Sequence, residues 1–118
     1  MPMSEIIDIS RIQETSDGDI EFEIELIEMY LDDAKDHIGQ IETHVTNNNS
    51  SGLKQSAHTL KGSSANIGAV GMQEAASHLE RAGSENQMDN TPHYYTQLKD
   101  VFDKTDVQFR AYLAQLED

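Results

Sequence analysis

Apolar residues recur at helical spacing along almost the whole chain. Ile20, Ile24, Ile27, Leu31, Ala34, Ile38, Ile41 and Val45 alternate steps of four and three, the rhythm of a helix that buries one face in a bundle. Leu98, Phe102, Thr105, Phe109, Tyr112 and Leu116 repeat it near the other end. These patterns predict long helices over about 19–46 and 91–117, with shorter ones over about 52–67 and 69–83. Ile6, Ile7, Ile9 and Ile12 suggest a further short helix over about 4–14. No stretch alternates apolar and polar residues as a half-buried strand would.

The punctuation agrees with this division. Asp17 or Asp19 stands ready to cap the first long helix, with Glu21, Glu23 and Glu25 favourably placed against its dipole. Asn47-Asn48-Asn49-Ser50-Ser51-Gly52 reads as a polar loop, Gly68 and Gly71 as a turn, and Gly83 as a helix stop. Thr91-Pro92 places a cap residue before a first-turn proline. Short connections between long amphipathic helices make neighbours antiparallel. The expected fold is therefore all-α, an antiparallel up-down four-helix bundle with a short N-terminal capping helix, in one domain over 1–118.

With 118 residues the chain can build a single core without staples. It has no cysteine, which excludes disulfides, thiolate metal sites and a cysteine nucleophile. The start, Met1-Pro2-Met3-Ser4-Glu5, has neither the basic nor the apolar region of a signal peptide. No apolar run approaches the roughly 20 residues that span a bilayer. A soluble, cytoplasmic protein is the expectation.

The net charge of −14 argues against nucleic acid and anionic membrane as partners, since both select basic surfaces. That charge is unevenly spread. Of 22 acids, 13 lie in residues 1–42 and nine in residues 74–118. The stretch from Thr43 to Gln73 has none, and holds Lys54, His58 and Lys61 instead. A histidine among lysines, with acids kept away, suits a phosphoryl group that comes and goes.

Helical geometry separates core from site within this stretch. At about 100° per residue, Leu53, Ala57, Leu60, Ser64 and Ile67 fall within roughly 40° of one direction, the buried stripe. His58 lies about 140° from its centre, on an outer face. Lys61 and Lys54 flank it on one side, Gly62 on the other, and Ala65 follows one to two turns on. Glycine inside a helix is unfavourable by about 1 kcal/mol relative to alanine, so Gly62 implies either clearance for an approaching partner or close packing on another helix. An exposed imidazole, with an ordinary pKa near 6.5 (roughly), is largely neutral and nucleophilic at cellular pH. Lys61, one turn away, is placed to offset charge on phosphoryl oxygens.

The run Ala57-His58-Thr59-Leu60-Lys61-Gly62-Ser63-Ser64-Ala65-Asn66-Ile67-Gly68-Ala69 resembles the phosphoacceptor motif of histidine-containing phosphotransfer (HPt) domains. The lead-in Ile-Asp-Ile-Ser-Arg-Ile and Gly18-Asp19 are similar as well, so the resemblance runs through most of the chain. It implies a four-helix bundle with its active histidine on the solvent side of the second bundle helix. It further implies His58 as phosphoacceptor, Lys61 as phosphoryl-stabilising partner, and Gly62 and Ala65 as clearance for a docking receiver domain. Lys54 would add electrostatic support. In some members a polar side chain of the following helix, often glutamine, orients the histidine; the equivalent position here is Glu80. Partners would be response-regulator receiver domains and a hybrid sensor histidine kinase. The chain would act as a monomeric carrier with no kinase activity and no cofactor, the Mg²⁺ belonging to the receiver.

Blander readings compete for several residues. Lys54 reads more simply as a solvated cation. His37 and His44, seven apart, could share a metal with an acid, but histidines near a helix C-terminus serve the dipole more often. His78 reads as a boundary residue and His93 as a first-turn residue without a partner. The acidic face of Glu21, Glu25, Glu28, Asp32 and Asp36 reads as solvated surface. No Glu-x-x-His pair supports a di-metal bundle, and no glycine-rich nucleotide loop is present. Two rivals therefore stand beside the carrier: an adaptor bundle that binds a partner without phosphotransfer, and an unrelated metal-binding bundle.

Overall fold

In the computed structural model, which describes residues 6–117, every regular element is helical. They are α1 (Ile9–Ser16), α2 (Ile20–Thr46), α3 (Ser50–Ile67), α4 (Val70–Ser84) and α5 (Thr91–Glu117). Local chemistry sets the boundaries. Asp8 caps α1 by accepting from the Ser10 amide, Asp19 caps α2 through the Phe22 amide, and Asn49 caps α3 through the Gly52 amide. Of the two aspartates that could have opened α2, Asp17 instead ends α1, in the left-handed conformation at φ 55°. The capping helix thus starts later than expected: residues 6–8 are not helical, and residues 4 and 5 lie outside the described region. The second half of the supposed Asn47–Gly52 loop, Ser50 to Gly52, is the first turn of α3, because Asn49 supplies the cap.

The long helices form a ring in which α2 packs on α3, α3 on α4, α4 on α5 and α5 on α2, while α1 lies across α2 and α3. This is the up-down bundle, closed at one end by α1. The core comprises Ile27, Leu31, Ala34, Ile38 and Ile41 of α2, Leu53, Ala57 and Leu60 of α3, Met72 and Leu79 of α4, and Leu98, Phe102, Phe109 and Leu113 of α5. Two ends of the sequence pattern run past this core. Ile20 is 49% exposed and Ile24 only partly buried, since the core along α2 begins at Ile27. In α5 the stripe closes on Leu113, leaving Tyr112 and Leu116 half-buried at its edge. Glu23, read from sequence only as favourably placed against the α2 dipole, is buried at 3% exposure and accepts a hydrogen bond from the Tyr112 hydroxyl. That bond ties α2 to α5.

Gly83 does not stop α4. The helix runs through it to Ser84, and a Cβ at Gly83 would sit 2.6 Å from the Ser50 carbonyl oxygen and 2.8 Å from the Lys54 amide nitrogen. The glycine is where α4 crosses the first turns of α3 backbone to backbone. Gly68 ends α3 at φ +81°, with the Asp8 carbonyl oxygen only 2.4 Å from where its Cβ would lie. There α1's leading segment crosses the α3–α4 turn: the Asp8 amide donates to the Gly68 carbonyl at 2.7 Å, and the Gly71 amide to the Ile6 carbonyl at 3.1 Å.

Gly83→Ala is expected to lower stability in urea unfolding by about 1–3 kcal/mol, the usual penalty of overpacking. Gly39→Ala, on open α2 surface with nothing within 4 Å, is expected to be neutral or stabilising by up to about 1 kcal/mol. Equal stability of the two variants would contradict the close crossing.

Candidate functional site

The buried stripe of α3 is Leu53, Ser56, Ala57, Leu60, Ser64 and Ile67, and His58 stands on the opposite side. Its side chain is 68% exposed. Its Nδ1 lies 2.7 Å from Oε2 of Glu80, which projects from α4. The other carboxylate oxygen, Oε1, receives Lys61 Nζ at 2.5 Å. One carboxylate therefore joins two residues of α3 that lie three apart, a spacing that puts both on the α4 side of the helix.

This arrangement fixes the protonation pattern. Lys61's hydrogen bond first, and His58's after it, hold the Glu80 carboxyl below the usual carboxylate range despite the opposing effect of partial burial. An ionised carboxylate only accepts, so the proton of a neutral His58 sits on Nδ1. Nε2 then carries the free electron pair and faces away from Glu80, the state of a nucleophile open to solvent.

The acid-free stretch of sequence does not, then, produce an acid-free site: α4 inserts Glu80 from outside it. Lys61 correspondingly is not a free cation but is paired with Glu80. Lys54, one turn before His58, is exposed and makes no ion pair among the described residues. Gly62 has nothing within 4 Å of where a Cβ would lie. Packing on a neighbouring helix therefore does not explain this glycine, and its bare backbone is open to an approaching body. Ala65 is partly exposed on the same face. Ile7 and Ile9 are half-buried against the core.

Two supports of α3 were not visible in the sequence pattern. The Ser64 hydroxyl is fully buried and bonds the Tyr30 hydroxyl of α2 at 2.6 Å. Burial pushes the Tyr30 phenol far above its ordinary pKa, so it stays a neutral hydrogen-bonding group. At the far end, Arg11 of α1 donates to the Ala65 carbonyl at 3.0 Å and Thr15 to the Asn66 carbonyl at 3.3 Å, satisfying last-turn acceptors of α3. Arg11 is the one cation among the first 34 residues, the only sequence hint of this contact. The other histidines are engaged separately. His37 pairs with Asp33 at 3.4 Å, His44 Nδ1 accepts from the Asn49 side-chain Nδ2 at 3.4 Å, and His78 stacks on Tyr94.

Fold and site define a class: an antiparallel bundle presenting one oriented, nucleophilic imidazole on an outer helix face. The Hpt domain family profile matches residues 25–118, and the chain belongs to that family. The fold is similar to that of histidine-containing phosphotransfer protein B from Pseudomonas aeruginosa, with a TM-score of 0.88 at 17% identity, covering 96% of this chain and 98% of that one. It is also similar to a protein from rice described as a histidine-containing phosphotransfer protein, with a TM-score of 0.82 at 22% identity, covering 96% and 85%. No curated protein sequence gives a significant match. No helix among the described residues is long and apolar enough to cross a membrane.

Two outcomes are expected. In carboxyl-carbon NMR, Glu80 should titrate below the ordinary glutamate value of about 4.3, and Lys61→Met should move it back towards that value. A depressed folded-state pKa means that this clamp adds stability above the ordinary pKa and loses it as pH falls through the folded value. Tyr30→Phe, which leaves buried Ser64 without its partner, should lower stability by on the order of 1 kcal/mol.

Proposed function

We propose that this chain is a phosphorelay intermediate that carries a phosphoryl group on Nε2 of His58 between receiver-domain aspartates. The observation that carries this reading is the Nδ1 contact with Glu80, which leaves the Nε2 electron pair outward on an exposed ring. In the accepting step Nε2 attacks phosphorus of an aspartyl phosphate. An N–P bond forms, the P–O bond to the aspartate breaks, and the aspartate departs as a carboxylate. In the donating step a second receiver's carboxylate attacks the same phosphorus, and the N–P electron pair returns to Nε2.

The remaining residues take supporting roles. Glu80 is a positioning residue: it holds the ring, keeps the proton on Nδ1 and offsets the positive charge that grows on the imidazole as the N–P bond forms. Lys61 exchanges between Glu80 and the phosphoryl oxygens as a flexible point charge. Gly62 and Ala65 leave room for the receiver, and Lys54 adds positive potential at the rim. Catalytic Mg²⁺ belongs to the receiver, whose carboxylates suit such an ion, and this chain supplies no cofactor of its own. Proteins of this family are carriers rather than kinases, and a hybrid sensor kinase would supply the phosphoryl group. The carrier acts as a monomer in the cytoplasm.

The test mixes the protein with receiver domains carrying labelled phosphate on aspartate, in Mg²⁺. Label should move to the wild type as an acid-labile, base-stable adduct and never to His58→Gln. An equally labelled His58→Gln would overturn the assignment of His58 in favour of another phosphoacceptor, and no label from any receiver of the source organism would leave an adaptor. Glu80→Gln should retain transfer, whereas Glu80→Ala, which frees the ring, should slow it by about 10- to 100-fold. Gly62→Leu should block transfer while the helix stays folded, as read by circular dichroism.

A further inference from the structure

In a chain with 22 acids and eight cations, a cation without a partner is the exception. Lys61 is held by Glu80, Lys104 by Asp100, Arg110 by Asp106 and Arg11 by the Ala65 carbonyl, and Lys99 lies over the Tyr95 ring. Lys35, Lys54 and Arg81 make no ion pair among the described residues. Lys35 has Asp32 one turn before it and Arg81 has Glu85 one turn after it. The neighbours of Lys54 at those spacings are Ser50, Ser51, Ala57 and His58, none of them acidic. We propose that Lys54 is a catalytic residue whose ammonium meets the phosphoryl oxygens during transfer at His58, while Lys61 stays with Glu80. The inference rests on the carrier reading of His58 and divides two roles between the lysines beside it.

Helix direction puts Lys54 where the phosphoryl group would be. Side chains on an α-helix lean towards its N-terminus, so each covers the turn before its own. His58 therefore leans over the turn of Lys54 and Gln55. With Nδ1 turned to Glu80 of α4, a phosphoryl group on Nε2 projects beyond the ring above that turn. Cβ atoms four residues apart on a helix stand about 6 Å from each other, a gap that a lysine side chain spans. On its α4 side Lys54 meets backbone and no acid. A Cβ at Gly83 would lie 2.8 Å from the Lys54 amide nitrogen and 3.1 Å from its Cα, so α4 passes there without a side chain. Of the nearby α4 acids, Glu80 is taken by His58 and Lys61, and Glu85 makes no ion pair among the described residues.

Charge decides between the two lysines. Neutral His58, Lys61 and ionised Glu80 together sum to zero, and a transferring phosphoryl group adds negative charge that this sum does not meet. Lys61 could meet it only by leaving Glu80, whose side chain is 18% exposed and would then face an incoming anion with no cation beside it. The Lys61 hydrogen bond is also the foremost effect that keeps Glu80 ionised, so its departure works against the carboxylate that holds Nδ1. Lys54 has no partner to give up. It is exposed, no acid lies anywhere on α3, and the helix is capped by neutral Asn49. Lys54 forms no covalent bond in the reaction. Its Nζ donates hydrogen bonds to the phosphoryl oxygens while the Nε2–P bond forms and the donor's bond to phosphorus breaks.

The test uses phosphoramidate, a small donor whose ammonia leaves as the N–P bond to His58 forms, followed by phosphorus NMR. Wild type is compared with Lys54→Met, Lys54→Arg and Lys61→Met/Glu80→Gln, the last removing the clamp with its charges cancelled. His58→Gln identifies the His58 signal, and circular dichroism checks folding. Two quantities are read: the rate of labelling, and the pH of the second ionisation of the bound phosphoryl group. Lys54→Met should slow labelling by about 10-fold and raise that pH, because a lost cation disfavours the dianion. Lys54→Arg should keep both near wild type, and the variant without the clamp should keep the ionisation there. An unchanged rate and ionisation in Lys54→Met would overturn the proposal. So would a clamp-free variant whose ionisation moves as far as that of Lys54→Met. A Lys54→Met that loses only stability in urea assigns this lysine to the fold and likewise overturns it. If phosphoramidate fails to label the wild type, the carrier reading falls and the proposal with it. If the wild type is labelled and Lys54→Met matches it, the proposal alone falls.

Discussion

The close crossing of α3 and α4 is the constraint from which the site follows. Gly83 lets the α4 backbone rest against Ser50 and Lys54 with no side chain between them. Small buried residues, Ala57 on α3 and Ala75, Ala76 and Ala82 on α4, line the same pair of helices. Only at such a distance does the short reach of a glutamate from α4 span to the outer side of α3. Were α4 held further off by larger residues, Glu80 would end in solvent, and His58 and Lys61 would be two unrelated surface side chains.

The outer face of α3 is held from three directions, each by a different chemistry. From α4 comes the ionic clamp of Glu80. From α2 comes the buried Tyr30–Ser64 hydrogen bond, which fixes the rotation of α3 about its axis. From α1 come Arg11, Thr15 and the Asp8 amide, which satisfy carbonyls at the α3 C-terminus and its cap. A helix restrained in this way presents its imidazole without a preparatory rearrangement, a form of preorganisation.

The charge distribution shows how a strongly acidic protein accommodates an anionic cargo. Carboxylates are absent from α3 and its flanking turns, yet one is admitted at the site itself. The difference lies in what that carboxylate touches. Glu80 is neutralised by Lys61 and placed behind the ring, at Nδ1, where it acts on the imidazole rather than on an incoming phosphoryl group. Asp32 and Asp36, which make no ion pair among the described residues, stand instead on the exposed side of α2.

Much of this was legible in the sequence. Helical period, cap residues and short connections determined the number, order and antiparallel arrangement of the helices, because these depend on local backbone chemistry and on which face is apolar. The same periodicity placed His58 opposite the stripe of Leu53, Ala57, Leu60 and Ser64, since a residue's angle about its own helix is set by counting along the chain. What tertiary structure alone decided was whatever depends on distances between helices. Gly83 reads in sequence as a stop and serves in space as a crossing point. Gly62 could have been either clearance or contact, and only the emptiness around it distinguishes the two. The spacing around His58 does not itself disclose that Glu80, 22 positions further on, returns to it; the family resemblance pointed to that position, and the tertiary structure supplies the contact. Nor could the position of Glu23 in a helix's first turn reveal that Tyr112 would bury it. Helical faces follow from sequence spacing, whereas meetings between faces follow from the depth to which neighbouring side chains let two helices approach.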